Sequence, residues 1–203
     1  MNPLRLACLC AAAATLAGCA STRMDAQWLD PQAPTLAMRG KKVLVACEAY
    51  DTTVRMLCQD QLAAEVAARG ATPVAAPEMS GIPPGQPVPA ERYMASARAS
   101  GASAVIASSI TLADRQVGSG LSIGLGGFGI GTGRVRGGVG VSLPVGGGDV
   151  TSAYASETRI SDVASGRLHW TGKATAPASR DVGEQMSSLA RTLLEAADKA
   201  GLF

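Results

Sequence analysis

The side chains able to do chemistry in this chain are few, and cysteines stand out among them. There are 5: Cys8, Cys10, Cys19, Cys47 and Cys58. Cys47 falls in a short β run and faces the same way as Val43 and Val45. Cys58 falls on the next helix, on the face of Val54 and Leu62. A helix laid on that sheet can bring the two sulfurs together, and a bridge needs Cα atoms roughly 4.4–6.8 Å apart. Two arrangements fit: a Cys47–Cys58 disulfide, or two buried thiols acting as small hydrophobes. His169 is the only histidine and sits beside Trp170 on an expected strand. A Ser-His-Asp triad would have to use it, and the chain has no G-x-S-x-G elbow. No His/Cys group has zinc spacing. Glu48, Asp51 and Asp60 are near one another in sequence. Asp51 is explained as a helix cap and Asp60 as an acid that is solvated or paired with a helix neighbour, so nothing demands a hydrolytic carboxylate pair. We assign no catalytic residue and no metal ligand. Gly124-Leu125-Gly126-Gly127-Phe128-Gly129 matches G-x-G-x-x-G. That fingerprint needs its glycines between a strand and a helix. Here further glycines follow and no helix opens, so neither a nucleotide nor another cofactor is expected.

Cys19 closes a different kind of segment. Arg5 supplies a positive charge, and residues 6–16 are an uncharged, Ala/Leu-rich run. A spanning helix needs roughly 20 apolar residues, so this run is too short. A short apolar run after a positive charge, closed by small residues, is a secretory leader. Leu16-Ala17-Gly18-Cys19 resembles the lipobox of bacterial lipoprotein precursors. The resemblance implies that residues 1–18 are removed, with Leu16, Ala17 and Gly18 read by the signal peptidase. Cys19 would then carry a diacylglycerol thioether and an acyl group on its new N-terminal amine. An ordinary leader with a chance cysteine is the other arrangement these residues allow. One acyl chain binds a membrane only marginally, at about 0.8 kcal/mol per buried methylene, whereas two or three chains anchor it. Residue 20 is Ala and not Asp. In the Gram-negative sorting pattern this resembles an outer-membrane destination, with the domain in the periplasm. Cys8 and Cys10 leave with the leader and Cys19 carries lipid. Only Cys47 and Cys58 then remain, in an oxidising compartment.

Composition bounds the rest. The chain has 203 residues, a net charge of +2 and 17% charged residues, which gives no sign of a nucleic-acid surface. Aromatics are 3%, so the core must come from Val, Leu, Ile and Ala. The 24 glycines concentrate between Gly118 and Gly148.

The elements that must position these side chains follow from periodicity and caps. Residues 19–40, with Ser21, Thr22, Pro31 and Pro34, read as a lipidated N-terminus and tether. Trp28 is the exception there, expected to pack on the edge of the domain. Residues 41–203 read as one domain. Lys41-Lys42 lead into an apolar strand ending at Cys47. Asp51 caps a helix through residue 68, and Gly70 stops it. A short strand spans 72–75. Pro89 opens a second helix through residue 99. Strands follow at 104–112, 152–161 and 167–175, the last two joined at Ser165-Gly166. Asp181 and Glu184 have capping-box spacing before a final helix with Met186, Leu189 and Leu193 on one face. The expected fold is α/β (α+β): a single mixed sheet with two or three helices packed on it, plus a glycine-rich β-hairpin insert.

With these elements placed, the chain resembles a family of small bacterial lipoproteins whose periplasmic domain has no assigned role. The matching pieces are Trp28-Leu29-Asp30-Pro31, Lys41-Lys42-Val43-Leu44-Val45, Val54-Arg55 with Asp60-Gln61-Leu62, Gly101-Ala102-Ser103-Ala104-Val105-Ile106, and Gly166-Arg167-Leu168-His169-Trp170 with Gly172. They span most of the mature chain outside the insert. The resemblance implies a fold and an envelope role, and it supplies no catalytic residue.

The insert, 118–148, alternates on both arms. Leu121, Ile123 and Leu125 alternate with Ser and Gly, and Val139, Val141, Leu143 and Val145 with Gly, Ser and Pro144. Three arrangements fit: a hairpin extending the sheet, a mobile glycine-rich loop, or a membrane-facing hairpin that joins others in an oligomeric barrel. The expected function is a membrane-anchored, non-catalytic binding or assembly module in the periplasm. Its expected partners are the bilayer through Cys19 and an envelope protein or a second copy, with no nucleic acid. The alternatives are an oligomeric pore or secretion component built through 118–148 and, more weakly supported, a periplasmic enzyme.

Overall fold

The computed structural model describes residues 21–33, 36–77, 90–117, 122–123, 143–144 and 150–203. The leader, Leu16 to Cys19, Pro89 and most of the insert lie outside the described residues. Six strands form one mixed sheet, in the spatial order β1 (Arg23–Leu29), β8 (Leu168–Thr175), β7 (Val150–Asp162), β4 (Ala104–Val117), β2 (Lys42–Glu48) and β3 (Thr72–Ala75). β3, β2 and β4 run parallel; β4, β7, β8 and β1 alternate in direction. Three helices pack on this α+β sheet: α1 (Thr52–Ala68), α2 (Ala90–Ser100) and α3 (Val182–Lys199).

The chain steps outward from β2 to β3 through α1, then back past β2 to β4 through α2. Crossovers of one hand taken in opposite directions put their helices on opposite faces. The cores show this division. Val43, Val45 and Cys47 face Val54, Cys58, Leu62 and Val66 of α1. Leu44 and Ala46 face Tyr93, Met94 and Ala97 of α2. A parallel strand covered on both faces reads as a continuous apolar run, which is why 43–47 shows no alternation.

α3 joins α1 on the larger core, over Ile106, Ile160, Trp170 and Ala174. Asp51 caps α1 by accepting from Val54 N at 3.0 Å, and Asp181 caps α3 by accepting from Glu184 N at 2.9 Å. Gly70 follows α1 at φ +81°, a left-handed conformation that costs glycine little. Within the core, Ser108 and Thr158 face each other in register, their hydroxyls 2.5 Å apart, so neither is left unpaired.

β1 was not expected. Residues 23–29 fall inside the span read as a tether, yet they pair with β8 from Arg23↔Thr175 to Leu29↔Trp170. The strand is exposed along nearly its whole length, so backbone pairing holds it and apolar periodicity gives no signal. Leu36 and Met38, also in that span, are buried in the main core.

β4 and β7 are longer than expected, 14 and 13 residues, and pair without interruption out to Val117↔Val150 apart from one irregularity. Beyond them, β5 (Ser122–Ile123) pairs antiparallel with β6 (Leu143–Pro144). Continuing the β4–β7 register would set Ser122 opposite residue 145; it pairs with Pro144, one residue away.

Candidate functional site

In α/β sheets ligands bind beyond the C-terminal ends of the parallel strands. Here the groups at that end engage one another. Cys47, near the end of β2, forms a disulfide with Cys58 on α1, Cα to Cα 6.0 Å. Next to it, Glu48 is 9% exposed and accepts a hydrogen bond from the Tyr93 hydroxyl at 3.0 Å. Burial first, and the Glu48 carboxylate second, push the Tyr93 hydroxyl well above its ordinary range, so it stays a proton donor. Asp51 is committed to capping and Asp60 is exposed on α1. The three acids that are neighbours in sequence therefore have three separate roles. Tyr93 as partner of Glu48 carried no sequence signal, because the contact crosses from β2 to α2.

His169 is 2% exposed, and its Nε2 meets no hydrogen-bond partner among the described residues. Its backbone oxygen accepts from Asp30 N at 2.8 Å, tying the end of β1 to β8. Asp30 is held below its ordinary range by the backbone N–H of Gln32 and by Arg167, whose guanidinium lies 2.5 Å away. Asp162 is also held low: burial opposes this, but hydrogen bonds from the Ser165 hydroxyl and backbone outweigh it. This edge is a set of turn-closing contacts. Among the described residues no group of three His, Cys, Asp or Glu side chains is placed to hold a metal.

The open space lies elsewhere, between β1 and α3. α3 packs closely on α1 and β8 but only lightly on β1, and a cleft of about 710 Å³ remains there. Its floor is Trp170, fully buried. Gly172 explains how an indole fits on this face. A Cβ at Gly172 would stand 2.6 Å from Trp170 Cζ2 and 2.7 Å from Met24 Cε, so the ring and Met24 occupy the volume a side chain would need. Trp170 and Gly172 are two apart on one strand and share a face, which is a signal the sequence does carry. The walls are Met24, Gln27 and Leu29 from β1, and Thr192 and Ala196 from α3. At the mouth, Glu195 accepts from Lys199 Nζ at 2.6 Å. The Trp170 Nε1 donor is buried without a partner among the described residues.

The sheet face opposite α3 is polar over β7, β8 and β1. Trp28, Thr171 and Arg159 stand in one cross-strand row, and Ala26, Lys173 and Glu157 in the next. Trp28 is 47% exposed, an edge residue that presents its ring to solvent instead of packing it away. Glu157 and Arg159 pair at 2.7 Å.

No protein-family model and no curated protein matches this chain in sequence. Solved structures do match in shape. The PelC dodecamer from Paraburkholderia phytofirmans aligns with a TM-score of 0.53 at 17% identity, over 85% of this chain and 94% of that one. Lipoprotein GNA1162 from Neisseria meningitidis aligns at 0.40 and 14% identity, over 79% and 96%. The likeness to PelC establishes a shared fold and nothing of activity.

Proposed function

We propose that this chain is a lipid-anchored lipoprotein of the bacterial cell envelope, held at the outer membrane through Cys19, whose periplasmic domain is a non-catalytic assembly module. The observation that carries the assembly role is the match of fold over 94% of the chain of PelC, which was solved as a dodecamer. Leu16-Ala17-Gly18-Cys19 supports the anchor, and the family resemblance in the sequence motifs supports the envelope setting. The partner is a second copy of this chain. An exposed edge strand with free backbone groups and the exposed Trp28 ring give such a partner somewhere to dock. Full-length protein extracted in mild detergent should run as a discrete oligomer in native mass spectrometry, with lipid mass on the Cys19 peptide. A monomer that also fails to cross-link in intact envelopes overturns the assembly role. Turnover of a defined substrate that is lost on His169→Ala overturns the non-catalytic one.

A second reading makes the chain a pore or secretion component through 118–148. It is favoured by the antiparallel β5–β6 pairing, which lies within 118–148. If it holds, deleting 118–148 abolishes the detergent-stable oligomer while leaving the lipid anchor intact. An unchanged oligomer excludes it.

A further inference from the structure

The β1–α3 cleft has the lining of an amphiphile site. Met24, Leu29, Trp170 and Ala196 supply apolar surface, while Gln27 and the Glu195–Lys199 pair leave polar groups at the mouth. Its volume of about 710 Å³ lies within the range of small-ligand pockets, roughly 300–1,000 Å³. The polar mouth suits the ester or amide of an acyl chain, and the apolar lining suits its hydrocarbon.

The chain also shows where such a group could come from. Thr22 lines the cleft, and its Oγ1 accepts a hydrogen bond from Ser188 Oγ of α3 at 2.6 Å. That contact fixes the backbone at one end of the cleft. Cys19 is the third residue before Thr22, a span of at most roughly 10–11 Å of extended chain. A fatty chain attached there can reach the cleft.

We propose that the cleft holds one of the acyl chains carried by Cys19. This rests on the lipoprotein reading above. The remaining chains stay in the bilayer, and two are enough to anchor. Occupying the cleft with one of them would hold the domain against the membrane surface at its β1 edge instead of letting it swing on a free tether.

The test uses Trp170 as the reporter, in a Trp28→Phe background that leaves it as the single tryptophan. The probe is dibromostearic acid, whose bromines quench indole emission on contact. In the unlipidated Cys19→Ser protein the probe should cause a loss of Trp170 emission, and Ala196→Phe, which fills the cleft, should prevent that loss. In the lipidated protein the loss should be much smaller, because the site is already filled. No quenching in the unlipidated protein overturns the acyl site. Equal quenching in both forms overturns Cys19 as the source and leaves a site for membrane lipid. The mass of the Cys19 peptide is read separately. If it carries no lipid, the lipoprotein reading fails whatever the fluorescence shows.

Discussion

The two halves of the sheet are built differently. β2, β3 and β4 are parallel, covered by α1 on one face and α2 on the other, and cross-linked by Cys47–Cys58. β7, β8 and β1 are antiparallel, covered on one face by α3, and carry both the cleft and the exposed Trp28 row. In the first half Glu48 is paired with Tyr93. Buried atoms without a partner among the described residues occur in both halves, Arg69 Nε at the end of α1 and Trp170 Nε1 and His169 Nε2 on β8. A sheet face that must be available to a partner or ligand cannot also be sealed by a helix. On the proposed self-association, scaffold duty falls to the parallel half and contact duty to the antiparallel half.

The largest effect should come from the one place where the contact half is itself densely packed. Trp170→Ala removes the biggest fully buried side chain and should cost about 3–5 kcal/mol in urea unfolding. Gly172→Ala approaches the same indole from the other side and should cost about 1–3 kcal/mol by overpacking. Trp170→Phe should relieve much of that second cost, since a smaller ring clears the new methyl. If Gly172→Ala is equally costly in both backgrounds, the indole is not what excludes a side chain there.

The disulfide gives the matching test of the scaffold half. It closes a loop with a sequence separation of 11, and removing it through Cys47→Ala with Cys58→Ala should cost about 3 kcal/mol. Reductant should destabilise the parent protein by a similar amount and the double variant not at all. A parent protein whose unfolding midpoint ignores reductant would show that the bridge adds nothing to this half.

Sequence patterns served the two halves unequally. In the parallel half the apolar run 43–47, the Asp51 cap and the Gly70 stop each have a local cause, and α1 forms over the span they mark. In the antiparallel half, β1 is held by hydrogen bonds to β8 and buries almost nothing, so no period betrays it. The far end of β4 is missed for the same reason: residues 113–115, beyond the expected end at 112, are exposed, and Asp114 and Arg115 are held by pairing. The cleft depends on how far α3 stands from β1, and helix-to-strand distance is a tertiary quantity with no sequence period. The one legible part of it is the Trp170–Gly172 spacing. Cys47 and Cys58 lay between, since the pattern put both on facing surfaces but only the packed helix brings their Cα atoms to 6.0 Å.

Acid should separate the halves next. Asp25, Asp30, Asp162 and Glu195 are held below their ordinary range, and all lie on β1, β7, α3 or the adjoining turns. A folded-state value below the unfolded one contributes stability that is present above the unfolded value and lost as pH falls through the folded one. For the three aspartates that loss sets in below the ordinary value of 3.8. Amide exchange of β1 and β8 should therefore rise in this range before that of β2. Asp162→Asn should flatten the fall in stability between neutral pH and pH values below 3.8. Simultaneous loosening of both halves would erase the electrostatic side of the comparison.

The smallest stability effect belongs to the residue on which the contact half's role most depends. Trp28 is 47% exposed on an edge strand, so Trp28→Ser should shift unfolding by no more than about 0.5 kcal/mol. Its effect on self-association should be far larger, because an exposed indole buried between copies is the kind of side chain that dominates an interface. Native mass spectrometry of the detergent-extracted variant should show the oligomer giving way to monomer with the fold intact. The reciprocal change is Met56→Ser on α1, also exposed at 57% but on the scaffold half, and it should leave the oligomer unchanged. If Met56→Ser dissolves the oligomer and Trp28→Ser does not, the duties of the two halves are reversed. Copies would then meet through α1, and the polar face of β7, β8 and β1 would look outward to water.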